Sequence, residues 1–208
     1  MTVSTELDSR FREAAAAEGL LDVAYELHDT PVGRLLVAVT DHGLCEISYD
    51  ADPEAEVERL ARAFGSRVLR SPRPTDDARR QLDEYFSGKR REFDLEIDLR
   101  PAREFGRTVL EELARVPYGE LTTYGTLAVR AGRPRAARAV GTVMNRNPVP
   151  IVLPCHRVVG STGSLVGYGG GLDRKRQLLE FEGAGRSEER RVGKECRRLC
   201  RSRWSPYH

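Results

Sequence analysis

The sequence has little that could carry it into a membrane. No apolar run approaches the roughly 18–20 residues that span a bilayer, and the opening "MTVSTELDSRFREAAAAEGLL" is polar and acidic, with no basic stretch leading into an apolar core. Neither a spanning helix nor a signal peptide is expected. Cysteine is sparse, at positions 45, 155, 196 and 200 of 208 residues. These suit free thiols in a reducing, cytoplasmic setting. Cys45 with His28 and His42 lacks convincing metal-ligand spacing, and the C-x3-C of Cys196 and Cys200 has no second ligand pair. No metal is expected, and Cys45 reads as a half-buried strand residue. Lysine is scarce too: before residue 186 only Lys89 and Lys175 occur, and arginine carries the other positive charges, a skew that suits a GC-rich bacterial genome.

What is present describes an ordinary globular chain, 39% hydrophobic and 32% charged, long enough for one large domain or two small ones. The last 23 residues, "RSEERRVGKECRRLCRSRWSPYH", show no helical or strand period and hold the single tryptophan. They resemble an in-frame translation of a sequencing-library adapter and are set aside from the fold, as a non-native scar would be. The tail carries eight Lys+Arg and three Glu against a whole-chain net charge of +2, so the preceding 185 residues are net −3. Overall basicity is therefore no argument for nucleic acid, and only a local patch could be one.

Periodicity organises the rest. "STELDSRFREAAAAEG" predicts a short helix capped by Ser4 or Thr5 and stopped at Gly19. "LDVAYELHD", "GRLLVAVTD" and "GLCEISYD" are β-rich runs separated by the turn signals "TPVG" and "DHG", which predicts a three-stranded meander. "PEAEVERLARAF" has helical spacing, "SPRPT" reads as a loop, "DDARRQLDEYFSG" as a helix ending at Gly88, and "FDLEIDL" alternates like an edge strand. A second unit follows. "PAREFGRTVLEELARV" predicts an amphipathic helix from Pro101, "TTYGTLAVRAG" one capped by Thr123 and ended by Gly132, and "RPRAARAVGTVMNRN" a third with Pro134 in its first turn. The last two, joined at a glycine, make a helix-turn-helix pattern. Ala136, Ala137, Ala139 and Gly141 keep the final helix narrow, with Arg135 and Arg138 projecting from it. Such a helix suits close packing in a core as well as entry into a DNA groove.

The chemistry concentrates in "VPIVLPCHRVVG", Val149 to Gly160, where an apolar run ends at Pro154 and meets Cys155, His156 and Arg157. A thiolate attacks carbon, and a neighbouring base or cation favours it. On an extended segment adjacent side chains diverge, so His156 is expected to act through a water, with Glu182 folding back to orient the imidazole. Taken alone, one Cys-His pair suits a buried structural cysteine as readily as a nucleophile.

"NPVPIVLPCHRVV" resembles the active-site signature of the O6-alkylguanine-DNA alkyltransferases, the methylated-DNA–protein-cysteine methyltransferase family of direct-reversal repair proteins. The similarity runs from Phe105 through "VPYGELTTYGTLA", "RPRAARAVGTVMNRNPVPI", "PCHRVVG" and "GYGGGLDRKRQLLEFEG" to Gly183. It implies an α+β fold. A small N-terminal α/β domain (21–98, three-stranded meander plus helices, ribonuclease H-like) would follow an extension (1–20). A mostly helical domain (99–185, helix-turn-helix, winged-helix-like) would precede the tail (186–208).

The resemblance also implies roles. Cys155 would accept the alkyl group once and irreversibly, with His156 and Glu182 as a water-linked activating chain. Asn147 would brace the turn before the cysteine, and Tyr124 would donate to a flipped guanine. Arg138 would fill the gap in the duplex, with Arg135, Ala136, Ala137, Ala139 and Gly141 on the DNA-facing helix. Tyr168, Gly169 and Gly170 would close over the base, Met144 and Val158 would line its pocket, and the carbonyls of Cys155 and Val158 would accept from its exocyclic amine. The implied partner is double-stranded DNA with alkylated bases, O4-alkylthymine included, bound in the minor groove by a monomer without cofactor. A relative with tryptophan at the cysteine position binds without reacting, and a plain helix-turn-helix regulator would not need Cys155 with Tyr124 and Asn147. "PCHR" argues against both alternatives.

Overall fold

Alternation along the meander becomes a two-faced sheet. A computed structural model describes residues 5–184; Ser4 and the tail at 186–208 lie outside the described residues. Helix α1 (Thr5–Ala17) ends before Gly19, which takes a left-handed φ of 65°. Strands β1 (Val23–Thr30), β2 (Gly33–Thr40) and β3 (Gly43–Tyr49) pair antiparallel in sequence order, as the three runs predicted. On β2, Leu35 and Val37 face one core while Leu36 and Ala38 face another, the period-two outcome of a strand buried on both sides. Cys45 belongs to the second core at 1% exposure, so it is fully buried and not half-buried as expected. Helix α2 (Pro53–Phe64) covers that face, with Asp52 capping it by accepting from the Glu54 N–H at 3.2 Å.

Several expectations are corrected here. "SPRPT" is not a loop: helix α3 runs Pro72–Phe86 with Ser71 at its N-cap. Proline fits the first turn of a helix, whose N–H groups have no intrahelical acceptor. A three-residue strand, β4 (Val68–Arg70), was too short to show periodicity and pairs parallel to β1, giving the order β3-β2-β1-β4. "FDLEIDL" alternates as expected, with Phe93, Leu95 and Ile97 packed on the core, yet it forms one bridge to Leu44 and no strand. The cause is competition for the β3 edge. Leu44 exchanges hydrogen bonds with Glu96 and Asp98 at 2.8 and 2.9 Å, but Ile47 donates to the carbonyl of Pro148 at 2.7 Å. The second half of the chain thus takes the remaining edge.

In that half α4 (Glu104–Ala114) begins three residues later than Pro101, which sits in a turn closed by Ala102 N–H to Leu99 O at 2.9 Å. Helix α5 (Tyr124–Arg130) is capped by Thr123 as expected, its hydroxyl accepting from the Thr126 N–H at 3.1 Å. Helix α6 is Ala137–Asn145. Pro134 and Arg135 precede it in a turn closed by Ala136 N–H to Arg133 O at 2.9 Å, so Pro134 is outside the helix and Arg135 does not project from it. Residues Thr122–Thr123 (β5) and Val158–Val159 (β6) pair parallel, and α7 (Leu172–Glu182) closes the chain. One core runs through both halves, from Leu35, Val37 and Ile47 through Leu82 and Tyr85 to Leu113, Leu127, Val140, Ile151 and Cys155. The fold is α+β. Among the described residues no helix is long and apolar enough to cross a membrane.

Candidate functional site

The segment before the cysteine is a tight turn held by one side chain. Ile151 takes φ 77°, a conformation that a β-branched residue rarely adopts and that costs of order 1–3 kcal/mol. Asn147 offsets this from both sides: its amide donates to Leu153 O at 2.8 Å, and its oxygen accepts from Val149 N–H at 3.2 Å. The turn delivers Cys155 at 4% exposure, at the start of a 3-10 turn, Cys155–Arg157.

That turn corrects the picture of an extended segment. Successive residues of a 3-10 turn lie about 120° apart rather than on opposite sides, and His156 and Arg157 both reach Glu182. The Glu182 Oε1 atom accepts from His156 Nε2 at 3.0 Å, Arg157 Nη2 at 2.8 Å and the Tyr85 hydroxyl at 2.7 Å. Its Oε2 accepts from Arg157 Nε at 2.9 Å and the Gly119 N–H at 3.2 Å. Burial pushes the Glu182 carboxyl up, but the hydrogen bonds from His156 and Arg157 outweigh it and hold the group well below its usual range. A carboxylate there makes Nε2 the protonated nitrogen of His156. Burial lowers the imidazole's own pKa despite Glu182, so the ring is neutral and Nδ1 carries a free lone pair. Nδ1 is buried and has no hydrogen-bond partner among the described residues. The group chemically suited to take a proton is therefore a neutral, oriented imidazole.

Arg157, next in sequence to the Cys155–His156 pair, is not the cation at the thiol: it is committed to Glu182 and to Val116 O at 2.5 Å. The charge acting on Cys155 comes from Lys175, fully buried on α7, whose ammonium donates to Val158 O at 2.6 Å and Val166 O at 3.0 Å. Burial pushes the Cys155 thiol up to about 11, against the pull of Asn147's hydrogen bond and the Lys175 charge. The resting group is a thiol. Iodoacetamide labelling of Cys155 in DNA-free protein should rise about tenfold per pH unit between about pH 7 and about pH 10, following the thiolate fraction. Peptide mapping reads this, and a plateau near neutral pH would show a thiolate already formed.

Cys155, Asn147, Met144, Tyr168, Gly169 and Gly170 line one cavity of about 210 Å3. Its far wall is β3, including Glu46 and Tyr49. Tyr124 and Arg138 are not in it. They line a neighbouring open cavity of about 490 Å3 with Gly141, Val166 and Gly167, and Asn145 borders both. The Tyr124 hydroxyl donates to Val166 O at 3.1 Å. Val158 is buried away from both cavities, and its carbonyl is the one held by Lys175. Arg135, Arg138 and Ala139 are exposed, while Ala136, Ala137 and Gly141 are half-buried. Gly141 faces the Tyr124 ring, where an added Cβ would sit at an ordinary 3.9 Å. His28 pairs with Asp83 at 2.8 Å, and Cys45 donates to Ala38 O at 3.3 Å, so these residues do not converge.

Sequence reasoning did not pick out Tyr85, Tyr49 or Lys175 as parts of the site. For Lys175 a partial signal existed, since it is one of two lysines before residue 186 in a chain that mostly uses arginine; the other, Lys89, is exposed, and only the fold separates them. The two tyrosines carried none.

Comparison with known proteins matches residues 104–184 to the 6-O-methylguanine DNA methyltransferase, DNA binding domain, and residues 23–99 to the 6-O-methylguanine DNA methyltransferase, ribonuclease-like domain. The methylated-DNA–protein-cysteine methyltransferase of Mycolicibacterium paratuberculosis is 44% identical over 160 residues, spanning 77% of this chain and 92% of that protein. The protein of the same description from Mycobacterium leprae is 52% identical over 154 residues, 74% of this chain and 88% of the relative. A crystal structure of Mycobacterium tuberculosis OGT in complex with DNA superposes with a TM-score of 0.67 at 39% identity, covering 76% of this chain and 92% of that one.

Proposed function

Since the chain belongs to the 6-O-methylguanine DNA methyltransferase family, we propose that it repairs O6-alkylguanine in DNA by moving the alkyl group, once and irreversibly, onto Cys155. The observation that carries this reading is a cysteine held by an Asn147-braced turn, immediately before a neutral histidine locked onto a buried carboxylate. The thiol proton passes through a water to His156 Nδ1. The sulfur then attacks the alkyl carbon, an S–C bond forms, and the C–O bond breaks with its electron pair going to guanine O6. Proton donation to the base assists its departure. Tyr124 supplies that donation once its hydroxyl leaves Val166 O. The thioether has no group to displace it, so each chain reacts once and no cofactor takes part.

The target carbon lies on a base edge inside the stack, so the base must turn out, at a few kcal/mol. Arg138, exposed at the start of α6 beside the Tyr124 cavity, occupies the gap from the minor-groove side. Arg135 contacts phosphate, the loop Tyr168–Gly170 covers the base, and the carbonyl of Cys155 receives its amine; the Val158 carbonyl, buried and held by Lys175, does not reach it. O4-alkylthymine is a second substrate, the working unit is a monomer, and the reduced cytoplasm keeps the thiol free. Neither a non-reacting base binder nor a simple helix-turn-helix regulator has use for the Glu182 network. Intact-mass spectrometry after incubation with an O6-methylguanine duplex tests the proposal: a gain of one methyl group is expected, and an unchanged mass would refute it.

Arg138→Ala separates base extrusion from chemistry. Transfer from duplex should slow by about 100-fold, the size of a few kcal/mol of lost flipping assistance, while transfer from free O6-benzylguanine stays near the native rate. Equal losses on duplex and free base would reject the assignment. Arg135→Ala should instead flatten the salt dependence of DNA binding by about one unit of slope.

A further inference from the structure

One wall of the Cys155 cavity comes from the other half of the chain. Strand β3 ends at Tyr49, whose hydroxyl lies 2.7 Å from that of Tyr168, with the rings tilted at 59° and their centroids 6.1 Å apart. The Tyr49 ring also rests on Gly170. A Cβ at that glycine would fall 2.8 Å from Tyr49 Cδ2 and Cε2, a distance side chains do not tolerate, so this approach requires glycine. Arg174 joins the contact from α7. Its guanidinium lies 5.0 Å over the Tyr49 ring, donates to Gly170 O at 3.2 Å and Val32 O at 2.7 Å, and pairs with Asp50.

The loop so held has little order of its own. "GYGGG" places Gly167 at φ 39° and Gly171 at φ 86°, and glycine loses more freedom on fixing than any other residue. Its geometry must be imposed by contacts, and those made through Tyr49, Asp50 and Val32 come from the N-terminal sheet.

We propose that Tyr49 is a positioning residue of the alkyl-transfer site: its hydroxyl holds Tyr168, and through it the Tyr168–Gly171 loop, against the cavity that contains Cys155. The role rests on the reading of Cys155 as alkyl acceptor. Displacement of a substrate-covering loop by about 1 Å lowers rate without lowering affinity for the rest of the substrate, because only the attack geometry is lost. The N-terminal half is in this way part of the reaction site, and its sheet sets how firmly the base is covered.

The test uses the full chain with Tyr49→Phe, which keeps the ring on Gly170 and removes one hydroxyl, together with Tyr168→Phe and the double variant. With saturating O6-methylguanine duplex, Tyr49→Phe should transfer about five- to tenfold more slowly at unchanged DNA affinity, the effect of losing one hydrogen bond in the transition state. Without DNA, iodoacetamide should label Cys155 faster by a similar factor, because a loosened loop exposes the thiol. The double variant should be no slower than Tyr168→Phe, since both single changes break the same bond. Transfer and labelling both within about twofold of native, with only a lower melting temperature, would assign Tyr49 a purely structural role and overturn the proposal, and so would losses that add in the double variant. A native chain that takes up no methyl overturns the acceptor reading and this role with it. A native chain that reacts, matched by Tyr49→Phe, overturns only the role of Tyr49.

Discussion

Cys155→Ser should take up no methyl from an O6-methylguanine duplex while binding that duplex as the native chain does. The exchange keeps the side chain's size and its turn, so α6 and its surface are untouched. What it removes is the nucleophile. A serine hydroxyl is far harder to ionise than a thiol, and the local machinery is modest: a neutral His156 and the buried charge of Lys175, set against burial that already pushes the thiol up to about 11. An arrangement that must work to ionise a thiol leaves an alcohol protonated, and oxygen is also the poorer nucleophile toward alkyl carbon. In the native chain, titration against excess methylated duplex should stop at one methyl per chain, with the added mass on the peptide containing Cys155. Cys45 is the internal control, because burial drives its thiol pKa far up and its Sγ is bonded to the Ala38 carbonyl. Repeated turnover would sink the mechanism, as would label on Cys45 or residual transfer by the serine variant.

Glu182→Gln should damage both the fold and the reaction. The carboxylate accepts from three donors at Oε1 and two at Oε2. An amide offers one acceptor atom and one donor atom, so in either orientation its NH2 group faces at least two N–H or O–H groups. Arg157 is then left buried without its counter-charge, a change that costs about 3–5 kcal/mol and should lower the melting temperature by roughly 10 °C for a chain of this size. The imidazole loses the negative charge beside Nε2 that would stabilise the ring as Nδ1 takes up a proton, and transfer to Cys155 should fall at least about 100-fold, the usual scale for a disabled general base. The pH dependence gives a separate signature. Pairing holds Glu182 below its ordinary 4.5, so the native fold has the full benefit of this carboxylate above that pH and loses it as pH falls through the folded value. The variant should lack that acid limb in its stability curve. Native-like melting with a native transfer rate would remove Glu182 from the site.

Much of this protein is decided by local pattern. Period-two alternation in "LDVAYELHD", "GRLLVAVTD" and "GLCEISYD" makes β1–β3 a meander, because each run can bury its faces only as a strand. Thr123 caps α5 through a hydrogen bond three residues long, which any chain with that spacing can form. The juxtaposition of Cys155, His156 and Arg157 is a matter of covalent neighbours. Where local signals compete the outcome passed to the tertiary structure. The prolines of "SPRPT" start α3 because Leu82 and Tyr85 have a core to enter, and "FDLEIDL" fails to become a strand because Pro148 takes the β3 edge at Ile47.

The working geometry of the site belongs almost wholly to that second category. Tyr85 meets Glu182 across 97 residues, Tyr49 meets Tyr168 across 119, and Arg157 reaches Glu182 across 25. No periodicity encodes such pairs, since a tyrosine on an amphipathic helix or at a strand end looks the same whether its hydroxyl meets water or a buried carboxylate. Ionisation states follow the same division: the residue type sets a group's ordinary pKa, and only burial and partners, which exist once the chain has folded, make Glu182 an anion, His156 neutral and Cys155 a thiol.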